Sequence, residues 1–269
     1  MPELPEVETT CNGIRPHLLG NSVISVDVHD SRLRWPVAEE VESLRRRKVL
    51  SVTRRAKYIL IEFSNGYLIS HLGMSGSLRI CEPEIELRKH DHLVFHLSSG
   101  KQMRYHDPRR FGCALWSQAP ECHELISHLG PEPLGDTFTP EYLYEKSKKA
   151  STSIKQFIMN NKVVVGVGNI YACESLFLSG ISPKRAASTI SKKRIFTLYD
   201  NIRKVLSAAI EQGGTTLRDF VNQDGNPGYF QQKLYTYNQE GQACKTCGGT
   251  IKRIVQGQRS TFYCPACQR

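Results

Sequence analysis

The 269-residue chain is expected to fold as an α+β protein: an N-terminal antiparallel β-sandwich with flanking helices, then a helical part, then a small cysteine-rich end. Three observations carry this expectation. Between about residues 23 and 105 apolar side chains recur with period two, and the pairs Asn65-Gly66 and Ser99-Gly100 sit where hairpins turn. The stretch Leu129-Gly130-Pro131-Glu132-Pro133-Leu134-Gly135 breaks the pattern, and beyond it the apolar period becomes helical. Two closely spaced cysteine pairs end the chain. The expected domains are 1–130, 131–235 and 236–269.

The first element is a helix with Pro5 at its first position, an acidic first turn, and Val7, Cys11, Ile14 and Leu18 as its buried stripe. Strands follow at Val23 to Val28, Tyr58 to Phe63, Tyr67 to Leu72, His92 to Leu97 and Gln102 to Tyr105. In the helical part Thr139-Pro140 starts a helix running to about Lys149, and Ser153 opens a second. Ser191 caps a long third helix whose Ile195, Leu198, Ile202, Val205, Ala209 and Ile210 share a face, and Gly213-Gly214 ends it. Between the second and third lies Asn161-Lys162-Val163-Val164-Val165-Gly166-Val167-Gly168-Asn169. It lacks the third glycine of a dinucleotide fingerprint, which argues against a nucleotide cofactor. A glycine-rich turn feeding a helix instead presents free amides to an anion, and a DNA phosphate suits that role.

Cys244-x2-Cys247-x16-Cys264-x2-Cys267 offers two thiolate pairs, each able to take two corners of a zinc tetrahedron. Disulfides are the alternative. Nine cysteines, five of them scattered, fit a reducing compartment better than a disulfide framework. With four protein ligands the zinc site is closed and structural, so the chemistry lies elsewhere. Between the pairs, Thr250 to Phe262 reads as a hairpin with Gln258-Arg259-Ser260 at its tip. Lys and Arg number 36 against 26 Asp and Glu, a net charge of +10 and a pI near 9.2, which suits a polyanionic partner. No run approaches the roughly 18 apolar residues of a membrane span, and no signal peptide stands first, so the expected location is the cytosol. The chain opens Met1-Pro2-Glu3. Loss of the methionine would leave Pro2 with a secondary amine, a nucleophile able to form an iminium, with Glu3 beside it and Glu6 and Glu8 within reach. A plain helix start accounts for the same residues.

The opening does not stand alone. Pro2 to Glu8, Arg54-Arg55-Ala56-Lys57-Tyr58, His71-Leu72-Gly73-Met74-Ser75-Gly76, Asp107-Pro108-Arg109-Arg110-Phe111-Gly112, Gly166-Val167-Gly168-Asn169-Ile170-Tyr171 and the cysteine-rich end span nearly the whole chain. Together they resemble the formamidopyrimidine-DNA glycosylases, bacterial base-excision repair enzymes. The resemblance implies a helix-two-turns-helix module before the zinc finger. It also implies a monomer that binds duplex DNA carrying oxidised purines or abasic sites between its domains, with one structural Zn2+ and no soluble cofactor. Glycosylase and abasic-site lyase activities are implied, with Pro2 as nucleophile, Glu3 as proton donor, and Lys57 and Arg259 in support. By the same resemblance Arg259 meets the phosphate beside the lesion, Asn169 caps a helix and binds phosphate, Lys155 lies near the lesion and His90 contacts DNA. Met74 and Phe111 fill the stack left by the extruded base, Arg109 meets the orphaned cytosine, and residues 215–229 form a flap. At Ala150-Ser151 the chain lacks basic side chains found in some relatives, which puts phosphate contacts there in doubt. Two other readings stay open: the sister family of endonuclease VIII type, which prefers oxidised pyrimidines, and a non-catalytic DNA-binding zinc protein.

Overall fold

The computed structural model describes residues 2–213 and 234–269; the expected flap at 215–229 lies outside the described residues. The chain forms two compact units, Met1–Ser127 and His128–Gln212 with the described part of Gln231–Arg269.

In the first unit, α1 (Leu4–Leu18) leads into β1 (Ser22–Val28), the short α2 (Glu39–Glu42), β2 (Arg47–Lys48), β3 (Ser51–Arg55), β4 (Tyr58–Phe63), β5 (Gly66–His71), β6 (Ser77–Cys81), β7 (Asp91–Leu97), β8 (Gln102–His106) and β9 (Cys113–Ser117). All pairings are antiparallel, in two sheets of order β2-β1-β7-β8-β6 and β3-β4-β5-β9. Val23, Leu93, Phe95 and Met103 of one sheet share a core with Ile59, Ile61, Phe63 and Leu68 of the other, which makes a sandwich. Helix α1 adds Val7, Cys11, Ile14 and Leu18, the stripe read from the sequence, whose three aliphatic side chains are each worth roughly 1.5 to 3 kcal/mol of transfer free energy when fully buried. Pro5 occupies the second helical position, not the first, because Glu3 is the cap; its missing N–H is still one that no helical carbonyl would accept. The β4–β5 hairpin turns through Ser64-Asn65, one residue earlier than expected. Gly66 opens β5 at φ +147°, where a Cβ would press on Trp116 and the Ser117 carbonyl.

The second unit holds α3 (Pro140–Lys148), α4 (Ile154–Ile158), α5 (Asn169–Leu178), α6 (Lys192–Glu211) and the hairpin β10 (Lys252–Gln256) and β11 (Arg259–Tyr263). Thr139 and Ser153 cap α3 and α4 through their hydroxyls. Ser191 precedes α6 without a side-chain cap bond, and Leu206 takes the buried place expected of Ile210. Arg203 of α6 donates to the carbonyls of Pro133, Leu134 and Gly135, so the proline-rich stretch is tied to that helix. No helix among the described residues is long and apolar enough to cross a membrane.

Candidate active site and nucleic-acid interface

Pro2 and Glu3 are buried at the start of α1. A reciprocal capping box fixes them: the Glu3 amide donates to Glu6 Oε2 at 2.8 Å, and the Glu3 carboxylate accepts from the Glu6 amide. Glu6 is fully buried in that role, and Glu8 pairs with Arg54 at 2.7 Å. Both carboxylates expected to be within reach of Pro2 are thus committed to structure, and Glu3 remains the adjacent acid. Arg54 also donates to the carbonyl of Ala56, which turns the β3–β4 hairpin at φ +54°, a costly conformation for a residue with a Cβ. Arg54 therefore ties α1 to the turn that carries Lys57. Lys57 lies in that two-residue turn and is half-buried.

Met74 lies on the turn from β5 to β6, and Arg109 and Phe111 lie on the turn from β8 to β9. Each turn crosses from one sheet to the other, and because His71 pairs with Cys113 and Ser77 with His106, the two crossings run side by side. They touch through backbone: a Cβ on Gly73 would come within 2.6 Å of the Phe111 carbonyl carbon, and one on Gly112 would overlap Tyr105 Oη and the His71 carbonyl. Asp107, fully buried, holds the second turn by accepting from the Gly112 amide at 2.8 Å and the Arg109 amide at 3.3 Å. Phe111 is 44 % exposed with the Arg109 guanidinium 5.0 Å above its ring. The structure thus brings the three expected DNA-facing side chains to adjoining turns.

His71 sets the base of the first crossing, its Nδ1 accepting from the Gly73 amide at 2.9 Å. Burial, with the charges of Lys57 and Arg34, lowers its pKa to about 4, so the ring is neutral and its proton sits on Nε2. A depressed histidine stabilises the fold above its unfolded value near 6.5, and that contribution is lost as pH falls from there through about 4. Denaturant titrations between pH 7 and 4 should show a loss on the order of 1 to 3 kcal/mol, which His71→Asn, keeping an acceptor but no titration, should largely remove. Equal acid slopes for the two proteins would refute this.

His90 ends an exposed loop, residues 82–89, that is braced from below by two buried arginines. Arg104 donates to the carbonyls of Glu82, Ile85 and Glu86, and Arg79 binds Asp91 at 2.6 Å. Asp91 also accepts from the Arg88 amide and pairs with His106 at 2.9 Å. Burial alone would raise the Asp91 carboxyl, but His106, the Arg88 amide and Arg79 hold it at about 2. The His90 carbonyl accepts from the Asp107 amide, which links this loop to the Arg109 turn. These supports were missed in the sequence; the available signal was a charged residue at inward positions of otherwise apolar strands.

In the second unit residues 163–168 of the glycine-rich segment are buried, and the amides of Gly166, Val167, Gly168 and Asn169 find no acceptor among the described residues. Unpaired amides at a helix N-terminus are the kind of donor set an anion takes. The cap of α5 is Gly168, however, and not Asn169. Asn169 is the first helical residue, and its carboxamide binds Lys155 and the Ser260 carbonyl instead. Arg259 is exposed on β11, paired with Gln256 across a Gly257-Gln258 turn. The tip is therefore one residue earlier than expected, because both Gly257 and Gln258 adopt the positive φ of a tight hairpin turn. Ala150 is half-buried and Ser151 exposed, and the neighbouring Lys148 is bound to the carbonyls of Ser188 and Ile190.

The four expected metal ligands converge, with all sulfurs within 4.8 Å of one another, Cys244 to Cys267 at 3.8 Å and Cys247 to Cys264 at 3.5 Å. A zinc tetrahedron with Zn–S near 2.3 Å requires sulfur separations of about 3.8 Å, so the donor set fits one structural zinc. Burial opposes ionisation of Cys244, but the amides of Thr246 and Cys247 and the neighbouring thiols bring it down to about 7. The Cys247 thiol and burial push Cys267 up to about 12. Four crowded thiolates require a cation. The finger's Ile251 and Phe262 pack with Phe177 of α5, while the buried Glu174 carboxylate accepts from the amides of Tyr235, Thr236 and Tyr237. The finger and α5 are thus one packed body.

Three family descriptions match the chain in order: the formamidopyrimidine-DNA glycosylase N-terminal domain over residues 1–114, that family's H2TH domain over 129–221, and a zinc finger found in FPG and IleRS over 241–269. Formamidopyrimidine-DNA glycosylase of Yersinia enterocolitica is 55% identical over 268 residues, covering 100% of both chains. Among solved structures, a single-site mutant of Lactococcus lactis FPG in complex with Fapy-dG containing DNA superimposes with a TM-score of 0.92 at 31% identity, covering 100% of both chains. MutM bound to DNA containing carbocyclic 8-oxo-G does so with a TM-score of 0.91 at 32% identity, again over 100% of each. By sequence and by fold, the chain belongs to the formamidopyrimidine-DNA glycosylase family.

Proposed function

We propose that the protein is a base-excision repair glycosylase and abasic-site lyase that removes 8-oxoguanine and formamidopyrimidines from duplex DNA. The observation that carries this reading is the Pro2-Glu3 pair, fixed by the capping box at the head of α1 in the same unit as the Met74 and Arg109/Phe111 turns. The initiator methionine is removed and the Pro2 amine adds to C1′ of the flipped nucleotide. Glu3 gives a proton to the ring oxygen as the sugar opens, the base departs, and an iminium joins Pro2 to C1′. The iminium acidifies the C2′ proton. Loss of that proton expels the 3′ phosphate, and a second elimination expels the 5′ phosphate, with Lys57 and Arg259 holding phosphates and assisting proton transfer. Met74 and Phe111 occupy the vacated stack while Arg109 hydrogen-bonds the cytosine left behind.

Duplex DNA is gripped by groups on both units, His90 and Lys57 on the first, the amides at Gly166–Asn169, the Asn169 side chain and Arg259 on the second. Residues 1–130, 131–235 and 236–269 are taken as the catalytic, helix-two-turns-helix and zinc-finger domains of a cytosolic monomer. Excision measured on 8-oxoguanine:C and thymine glycol duplexes tests the reading: the purine lesion should be preferred by at least about tenfold, near 1.4 kcal/mol, and the reverse preference would place the chain with endonuclease VIII. Arg109→Ala should weaken the preference for cytosine opposite the lesion by roughly 1 to 3 kcal/mol. Lys57→Ala should instead weaken every duplex alike and flatten the salt dependence by about one unit. Uniform losses in both variants would remove Arg109 from the orphaned base.

A further inference from the structure

Lys155 is only 1 % exposed. Its ammonium donates to Asn169 Oδ1 at 2.5 Å, to Thr261 Oγ1 at 2.7 Å and to the Ser260 carbonyl at 3.2 Å. Those acceptors belong to two elements, the first residue of α5 and the two residues of β11 that follow Arg259. Asn169 Nδ2 closes the triangle by donating to the same Ser260 carbonyl at 2.9 Å. An ammonium carries three protons, and three protein oxygens lie within donor distance of it. A lysine buried and bound in this way is turned to the protein interior and not to a phosphate or a base.

The arrangement also sets the orientation of Asn169. Lysine only donates, so it accepts the carboxamide only with Oδ1 turned inward; Nδ2 then spends one N–H on Ser260 and keeps the other for a ligand. The next residue, Gln156, underlies the hairpin turn, where a Cβ on Gly257 would come within 3.0 Å of its Nε2. Helix α4 is thereby a cradle for the hairpin at both its turn and its returning strand.

We propose that Lys155 is a positioning residue and not a DNA contact: it locks the Asn169 carboxamide and the Arg259-bearing strand in one register, so that both meet the DNA backbone together. This rests on the reading above that Asn169 and Arg259 grip phosphates. It replaces the expectation that Lys155 acts beside the lesion, and it requires that loss of Lys155 weaken damaged and undamaged duplexes equally.

The test uses the zinc-loaded full chain, an undamaged duplex and one carrying a tetrahydrofuran abasic analogue, so that no excision step enters. Lys155→Met keeps the volume and removes the donor. It should weaken both duplexes by about tenfold, the scale of a lost hydrogen bond to a charged group. Added to an Asn169→Ala/Arg259→Ala protein it should change affinity by less than about twofold, since the groups it positions are gone. In the DNA-free protein the Asn169 side-chain amide resonances should shift in Lys155→Met, which a direct DNA contact would not require. Thr261→Val keeps the lysine and removes one acceptor at a fully buried position; a loss of about threefold on both duplexes is expected, and this variant decides the matter if Lys155→Met fails to hold zinc. A further tenfold loss from Lys155→Met in the double-variant background, or unchanged affinity in Thr261→Val together with unmoved Asn169 resonances in Lys155→Met, overturns the proposal. If the Asn169→Ala/Arg259→Ala protein binds like wild type, the phosphate-grip reading falls instead, and the DNA-free resonances still judge the lock.

Discussion

One extra residue ahead of Pro2 will abolish the borohydride-trapped adduct with lesion DNA and lower excision by roughly three orders of magnitude or more, the scale seen when a covalent nucleophile is removed. Lesion-duplex affinity should change little, because phosphate contacts supply most of it. In the unblocked protein, peptide mapping should place the adduct on Pro2, since reduction converts the transient iminium to a stable amine. Glu3→Gln separates the steps. The substitution leaves the amine and can still accept from the Glu6 amide, so the capping box is largely kept. It removes the acid, so excision of 8-oxoguanine should collapse while cleavage at a preformed abasic site, whose aldehyde is already open to attack, partly survives. An adduct on Lys57 or Lys155 in the wild-type chain, or full excision by the blocked one, would falsify the role given to Pro2.

The second large effect is the metal. Cys247→Ser removes one of four sulfurs and should release the ion, and because structural zinc contributes folding free energy of roughly 10 kcal/mol or more, the finger should lose its order. The loss should not stop there: Phe177 packs into the finger core, and Glu174 holds the backbone of residues 235–237. DNA affinity should fall by about a hundredfold or more, as several backbone and Arg259 contacts go together. The first unit should remain folded. Both tryptophans, Trp35 and Trp116, lie in it, so their fluorescence should report unfolding at nearly the same denaturant concentration with and without metal. Unchanged duplex affinity in metal-free protein would show that the finger does not grip DNA.

What the sequence made legible was whatever has a local cause. The α1 stripe, the hairpins, the caps at Thr139 and Ser153 and the cysteine pairs each follow from residues a few positions apart, and the structure has them. The turns came out one residue off at Ser64-Asn65 and Gly257-Gln258, because strand register and not the turn residues alone decides which pair is central. The supports of the site were not legible. Arg54, Arg79, Arg104, Asp107 and Glu174 act through partners up to 63 positions away, and an isolated charge in an alternating strand does not announce whether it faces water or a buried carbonyl. Lys155 shows the same limit, since its burial depends on a hairpin more than a hundred residues downstream, with Thr261 106 positions away.

The two sheet crossings, 72–76 and 107–112, meet backbone to backbone at Gly73 and Gly112, with almost no room for a Cβ on either side. A change in the length or bulk of one crossing must displace the other, so the pair is a single unit of inheritance. Homologues with a different preference for the base opposite the lesion should differ in both crossings or in neither. A recombination library that shuffles them independently should return active clones mainly where both come from one parent.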